Sequence, residues 1–263
     1  MLYSESELLR FLPKVLRARD FHLYLENGKR LTDLWLAGGK AVLGHKPPRV
    51  LVELKNAAER GLFTPLPHPM ERRFFKALGE LFPGKDFRLF ADKGVLHRAL
   101  EGAVERKFSI WRPFAEQSVD DTSGGEKEAP FLVPVLPWPL GPEALVLEKD
   151  MDALFPAGEI IPPVLLAPAT RALYDLLAVI KDGSRVGCVY PKVEKALKNG
   201  FWQRRGIYLT INTDREKYEN LFMRFLEGGF LIPPSPLEPL ILPASMSDGE
   251  EAKLARLIGE YTN

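Results

Sequence analysis

Proline limits this chain more than any other residue type. Nine prolines fall between Pro130 and Pro168 and five between Pro233 and Pro243, out of 23 in 263 residues. Each removes a backbone donor and fixes φ, which disfavours helix interiors and central strands. They alternate with Phe, Leu, Val, Ile and Trp, so both stretches are expected to be extended and broken by turns, not disordered.

The rest of the composition is ordinary for a globular chain long enough to bury a sizeable core. Lys and Arg number 36 against 35 Asp and Glu, a formal charge of +1. No global basic excess attracts nucleic acid or an anionic membrane. The single cysteine, Cys188, excludes an internal disulfide framework and a multi-cysteine zinc site. The opening MLYSESELLR carries acids where a secretory leader has a basic start, and no uninterrupted apolar run approaches the roughly 20 residues that span a bilayer. The expectation is a cytoplasmic protein with neither nucleic-acid nor membrane partners.

Periodicity and punctuation predict alternating helices and strands, an α/β or α+β chain. Ser4 to Arg17 reads as a helix, with Ser4 and Glu7 in capping-box spacing. Asn27-Gly28 between two alternating runs predicts a hairpin. Helices are expected over 48–61, 70–81, 96–107, 169–180, 192–199, 215–226 and 248–261. Strands are expected near 87–90, 131–136, 144–147, 206–211, 230–232 and 240–242. Polar residues 117–129, with Gly124-Gly125, predict a loop. Tyr218, Leu221, Phe222 and Phe225 share one helix face and read as core, or as a dimer face. Trp202-Gln-Arg-Arg reads as a solvated helix end, and Cys188 as a buried strand residue.

The stretch from Tyr24 to Gly84 resembles the class III aminotransferases, and among them the glutamate-1-semialdehyde 2,1-aminomutases. The carrying residues are Gly28, Arg30, Leu31 and Asp33, then Gly39, then Leu43-Gly44-His45 and Pro48. Gly61, Glu71, Ala77-Leu78, Leu81 and Pro83 continue the pattern. Arg205-Gly206-Ile207, Glu227-Gly228-Gly229-Phe230 and residues 240–250 are similar to the family's last segment. The resemblance implies a fold-type-I pyridoxal-phosphate (PLP) transferase scaffold, truncated and degenerate, and a homodimer. Its small α+β domain would come from both chain ends, residues 1–75 and 186–263. Residues 76–185 would form a reduced large domain around a mainly parallel sheet.

PLP chemistry needs a Schiff-base lysine, a carboxylate on the pyridine nitrogen, a group stacked on the ring and backbone N–H groups for the phosphate. The phosphate-loop positions of the resembled family fall on Asp92, Lys93 and Gly94. Asp92 would set a carboxylate beside a dianionic phosphate, offset in part by Lys93. Glu148 and Asp150 are the nearest acids for the ring nitrogen. Lys149 and Lys181 sit near element ends but without the glycine-rich context of the family's lysine. Trp35, Gly38, Gly39 and His68 are candidates for a substrate entrance. His45 matches a structural Gly-His turn. His22, His45, His68 and His97 show no metal-ligand spacing, and no metal is expected.

The preferred expectation is therefore a pseudoenzyme. Such a chain has the transferase fold, no PLP and no catalytic residue, and a binding, regulatory or assembly role, with a small amino or keto acid as ligand. The alternatives are an active PLP-dependent aminotransferase or aminomutase with a rearranged or partner-completed site, and a purely structural homodimer.

Overall fold

A computed structural model describes residues 3–101, 108–115, 131–149, 151, 155, 157–183, 189–198 and 200–261. The chain forms two compact units. The first comprises Met1–Lys46, Phe114–Gln117 and Gly183–Asn263; the second comprises Pro47–Pro113 and Ser118–Asp182. The first unit thus unites the two chain ends. Its N-terminal part stops at Lys46, and the expected boundary at 75/76 falls inside a helix of the second unit.

The first unit opens with α1 (Glu5–Arg10), where Ser4 and Glu7 close the capping box. That helix does not reach Arg17. Pro13 disfavours the helical conformation at Leu12 and lacks a donor, so the chain leaves as strand β1 (Val15–Arg19). Strands β2 (His22–Leu25) and β3 (Arg30–Asp33) form the predicted hairpin, with Gly28 at φ +77° in the turn. β10 (Phe230–Leu231) adds in parallel to β3 and completes a four-stranded sheet.

A second, antiparallel sheet runs β11 (Leu240–Ile241), β9 (Tyr208–Ile211), β8 (Trp202–Arg205). β8 corrects the expected helix end. Trp202 is buried and Gln203 exposed, a period-two pattern, and Gly206 turns the strand back onto β9. Helices α6 (Pro191–Leu197), α7 (Arg215–Glu227) and α8 (Asp248–Gly259) belong to the same unit. Tyr218, Leu221, Phe222 and Phe225 of α7 are core, packed in one cluster with Leu8, Trp202, Phe230 and Ile258.

In the second unit, α2 (Pro48–Glu59) and α3 (Pro69–Leu81) both pack on α5 (Pro163–Asp182). α5 starts six residues before the expected Ala169 and runs through Pro168. Pro163 occupies the first turn, where no donor is missed, and burial of Leu166, Ala169, Leu173 and Leu176 outweighs the bond lost at Pro168. At 20 residues with a mean hydropathy of 1.4, α5 is long and apolar enough to cross a bilayer. Its apolar face is instead buried as a core helix.

The sheet of this unit has the order β4 (Asp86–Phe90), β7 (Glu143–Leu147), β6 (Phe131–Pro134), β5 (Phe108–Trp111). Only β5 and β6 run parallel; β4–β7 and β6–β7 are antiparallel. Among the described residues the sheet is therefore mixed, where a mainly parallel one was expected. Residues 135–142, rich in proline, are too few for the crossover of a dozen or more residues that parallel pairing needs, so the chain turns straight back. β5 was not foreseen from the sequence. α4 (Lys93–Glu101) follows β4. The expected loop over 117–129 lies outside the described residues, except that the described chain resumes just beyond it at Phe131.

Candidate functional site

The strand-to-helix turn from β4 into α4 holds the expected phosphate-loop residues Asp92, Lys93 and Gly94, all exposed. The first turn of a helix presents unpaired N–H groups that suit an anion. Here the chain supplies its own. Asp92 Oδ1 accepts from the Val95 N–H at 2.9 Å and caps α4. Glu159, 68 residues away in sequence, accepts from the Ala91 N–H through Oε2 at 2.7 Å. Its own N–H donates to Leu89 O at 2.7 Å, so residues 158–159 lie directly against β4. Gly158 makes that approach feasible, since a Cβ there would sit 2.7 Å from Leu89 N and 2.8 Å from Leu89 O. Glu159 was missed in the sequence because nothing local links it to β4. The nearby buried acid is Glu143, paired in register with Phe90. Glu148 is exposed and bonds Lys85, while Asp150 lies outside the described residues.

The substrate-entrance candidates separate between the units. Trp35, Gly38 and Gly39 lie in the first. Asp33, buried on β3, accepts from the Trp35 and Leu36 N–H groups at 2.8 and 2.9 Å and holds His45 Nε2 at 2.8 Å. This confirms His45 as a structural turn residue. The brace supports four consecutive residues in the left-handed region, Leu36, Ala37, Gly38 and Gly39. Two of them carry side chains, a strained arrangement that persists only when over-determined. Trp35 Nε1 donates to Glu238 Oε2 at 2.7 Å, and that carboxylate lies 3.7 Å from where a Gly38 Cβ would stand. Sequence reasoning did not single out Glu238.

His68 lies in the second unit, as the N-cap of α3. Its Nδ1 accepts from the Met70 N–H at 3.1 Å, which leaves the proton on Nε2. His97 is exposed on α4, edge-to-face with Phe108.

His22 belongs to a cluster the sequence did not show. Glu250 Oε1 accepts from His22 Nε2 at 2.9 Å, Arg30 Nη2 at 2.8 Å and Thr32 Oγ1 at 3.1 Å. Its Oε2 accepts from the Ser247 N–H and hydroxyl, each at 2.8 Å. Burial opposes the charge, but the Ser247, His22 and Thr32 donors outweigh it and hold this carboxyl at about 2. The cluster ties α8 to the β2–β3 hairpin and leaves Glu250 no lone pair for chemistry.

No family model matches the chain. An uncharacterized protein of Treponema pallidum (strain Nichols) is 29% identical over 289 residues, covering 91% of this chain and 92% of its own. Glutamate-1-semialdehyde 2,1-aminomutase of Thermus thermophilus is 29% identical over 82 residues, 31% of this chain and 19% of that enzyme. The ornithine aminotransferase of Plasmodium yoelii superposes with a TM-score of 0.66 over 98% of both chains at 11% identity. This is the PLP-dependent aminotransferase fold. Identity at that level establishes the architecture and leaves the chemistry to the residues.

Among the described residues the β4–α4 turn is a poor match to a phosphate. A phosphate at the β4–α4 turn would meet the Glu159 and Asp92 carboxylates on the Ala91 and Val95 N–H groups. A lysine that condenses with an aldehyde must be presented neutral, which burial favours. Among the described residues no lysine is buried. Lys149 is exposed and Lys181 pairs with Glu80. Cys188 lies outside the described residues.

Proposed function

We propose that this protein is an aminotransferase-fold pseudoenzyme. It has no PLP and no catalytic residue, and works by binding, as a regulatory or assembly component in the cytoplasm. The observation that carries this reading is the pair of carboxylates, Asp92 and Glu159, already bonded to the backbone donors of the phosphate turn. Two anions there oppose a third through direct repulsion, in a turn where the Ala91 and Val95 donors are already engaged. The absence of a buried lysine among the described residues supports the same conclusion. A homodimer is part of the proposal, and light scattering of the purified chain tests it.

The decisive experiment is incubation with PLP, borohydride reduction and peptide mapping. The expected result is only sparse labelling spread over exposed lysines. Stoichiometric labelling of one lysine would restore the enzyme reading, including a site completed by a partner chain.

A further inference from the structure

One depression in the second unit carries chemistry that the fold does not use. It lies between the C-terminal half of α2, the start of α5 and the segment joining α2 to α3, and is a shallow cavity of about 50 Å³. We infer that it binds a small zwitterion, with the anionic group held by Arg60 and His68 and the ammonium by Glu53.

The argument starts from helix spacing. Glu53 and Asn56 on α2 and Arg60, the residue that caps its C-terminus, stand at i, i+3 and i+7, which places them along one stripe. Ala57, on the same helix, is buried and forms apolar floor with Pro163 and Ala167 of α5. The Val164 N–H donates to Leu62 O at 3.0 Å, which fixes the connecting segment against the start of α5. A rigid apolar floor with convergent polar groups is the usual form of a small-molecule site.

His68 gives the site its direction. An N-cap needs only one acceptor, and Asn, Ser or Asp supplies it at least as well. An imidazole caps through Nδ1 and keeps a second functional atom. Because Nδ1 accepts from Met70, Nε2 carries the proton, and His68 lines the depression with this donor left over from the cap. The guanidinium of Arg60 adds a planar fork suited to a carboxylate. Glu53 brings the opposite charge, so a ligand with anion alone leaves Glu53 uncompensated, and a cation alone leaves Arg60. Arg171 of α5, which also interacts with Glu53, hydrogen-bonds first to Asp175.

This inference deepens the binding role proposed above. It does not depend on the closed β4–α4 turn, since no residue of that turn lines the depression. The test is titration of the full-length protein with L-alanine, pyruvate and ethylamine, followed by the His68 imidazole resonances and by calorimetry. Pyruvate lacks the ammonium and ethylamine lacks the carboxylate. L-alanine is expected to bind at least about tenfold more tightly than either, as one charge pair contributes on the order of a factor of ten. Glu53→Gln should remove the preference of L-alanine over pyruvate. Arg60→Ala should weaken both. His68→Asn keeps the cap, so it should weaken carboxylate binding with the melting temperature unchanged. Unmoved His68 resonances with L-alanine, or pyruvate binding as well as L-alanine, would overturn the inference. PLP mapping on the same samples separates the two readings, because either can fail without the other.

Discussion

In the first unit, acidic side chains are consumed by structure, near in sequence for Asp33 and far along the chain for Glu250. Asp33 braces the left-handed turn and His45, while Glu250 gathers donors from β2, β3 and its own helix cap. In the second unit, Asp92 and Glu159 sit exposed on a strand-to-helix turn, where the same fold could offer its donors to a ligand. One set of carboxylates builds a scaffold; the other closes an opening. The difference teaches that one residue type serves two ends in one fold: a buried carboxylate holds elements together, and an exposed one takes up the donors of a turn.

The largest test of this contrast is in the first core. Phe225 is fully buried against Trp202 and Phe230. Phe225→Ala should cost about 3–5 kcal/mol by urea denaturation, mostly as a cavity. Asp33→Ala comes next, at about 2–4 kcal/mol, because it leaves N–H groups of a strained turn without acceptors. If it costs no more than a surface substitution, the turn is not braced as described. In the second unit, Gly158→Ala should cost about 1–3 kcal/mol, since the added carbon meets β4 backbone that cannot swing aside. A wild-type melting temperature for that variant would show that residues 158–159 do not lie on β4. Asp92→Ser should change stability by only a few tenths of a kcal/mol, because serine also caps.

The pH dependence sharpens the same comparison. The Glu250 carboxyl is depressed from 4.5 to about 2. Its contribution is fully present above the unfolded value and is lost as pH falls from about 4.5 through about 2. Glu250→Gln should flatten that acid limb in a denaturation series, and a limb unchanged by the substitution would assign it elsewhere.

Much of this architecture could be read without coordinates. The Asn27-Gly28 hairpin, the capping box at Ser4 and the apolar stripe of α7 are local patterns, and the structure repeats them. The likeness of residues 24–84 to the class III aminotransferases led to the fold that the superposition establishes. Failures arose where a neighbour outweighed a local preference. Pro168 sits inside α5 because the helix is buried on one face, and Trp202 begins a strand because β9 lies beside it.

Sequence alone fixed the alternation of elements and the family likeness, because turn chemistry, capping and periodicity act within a few residues. Tertiary structure alone decided the state of the phosphate turn and the polar depression. The first depends on Glu159 reaching Ala91 across 68 residues, and the second on α2 and α5 meeting beside His68. Such contacts are set by packing between distant segments, which no short window of residues encodes.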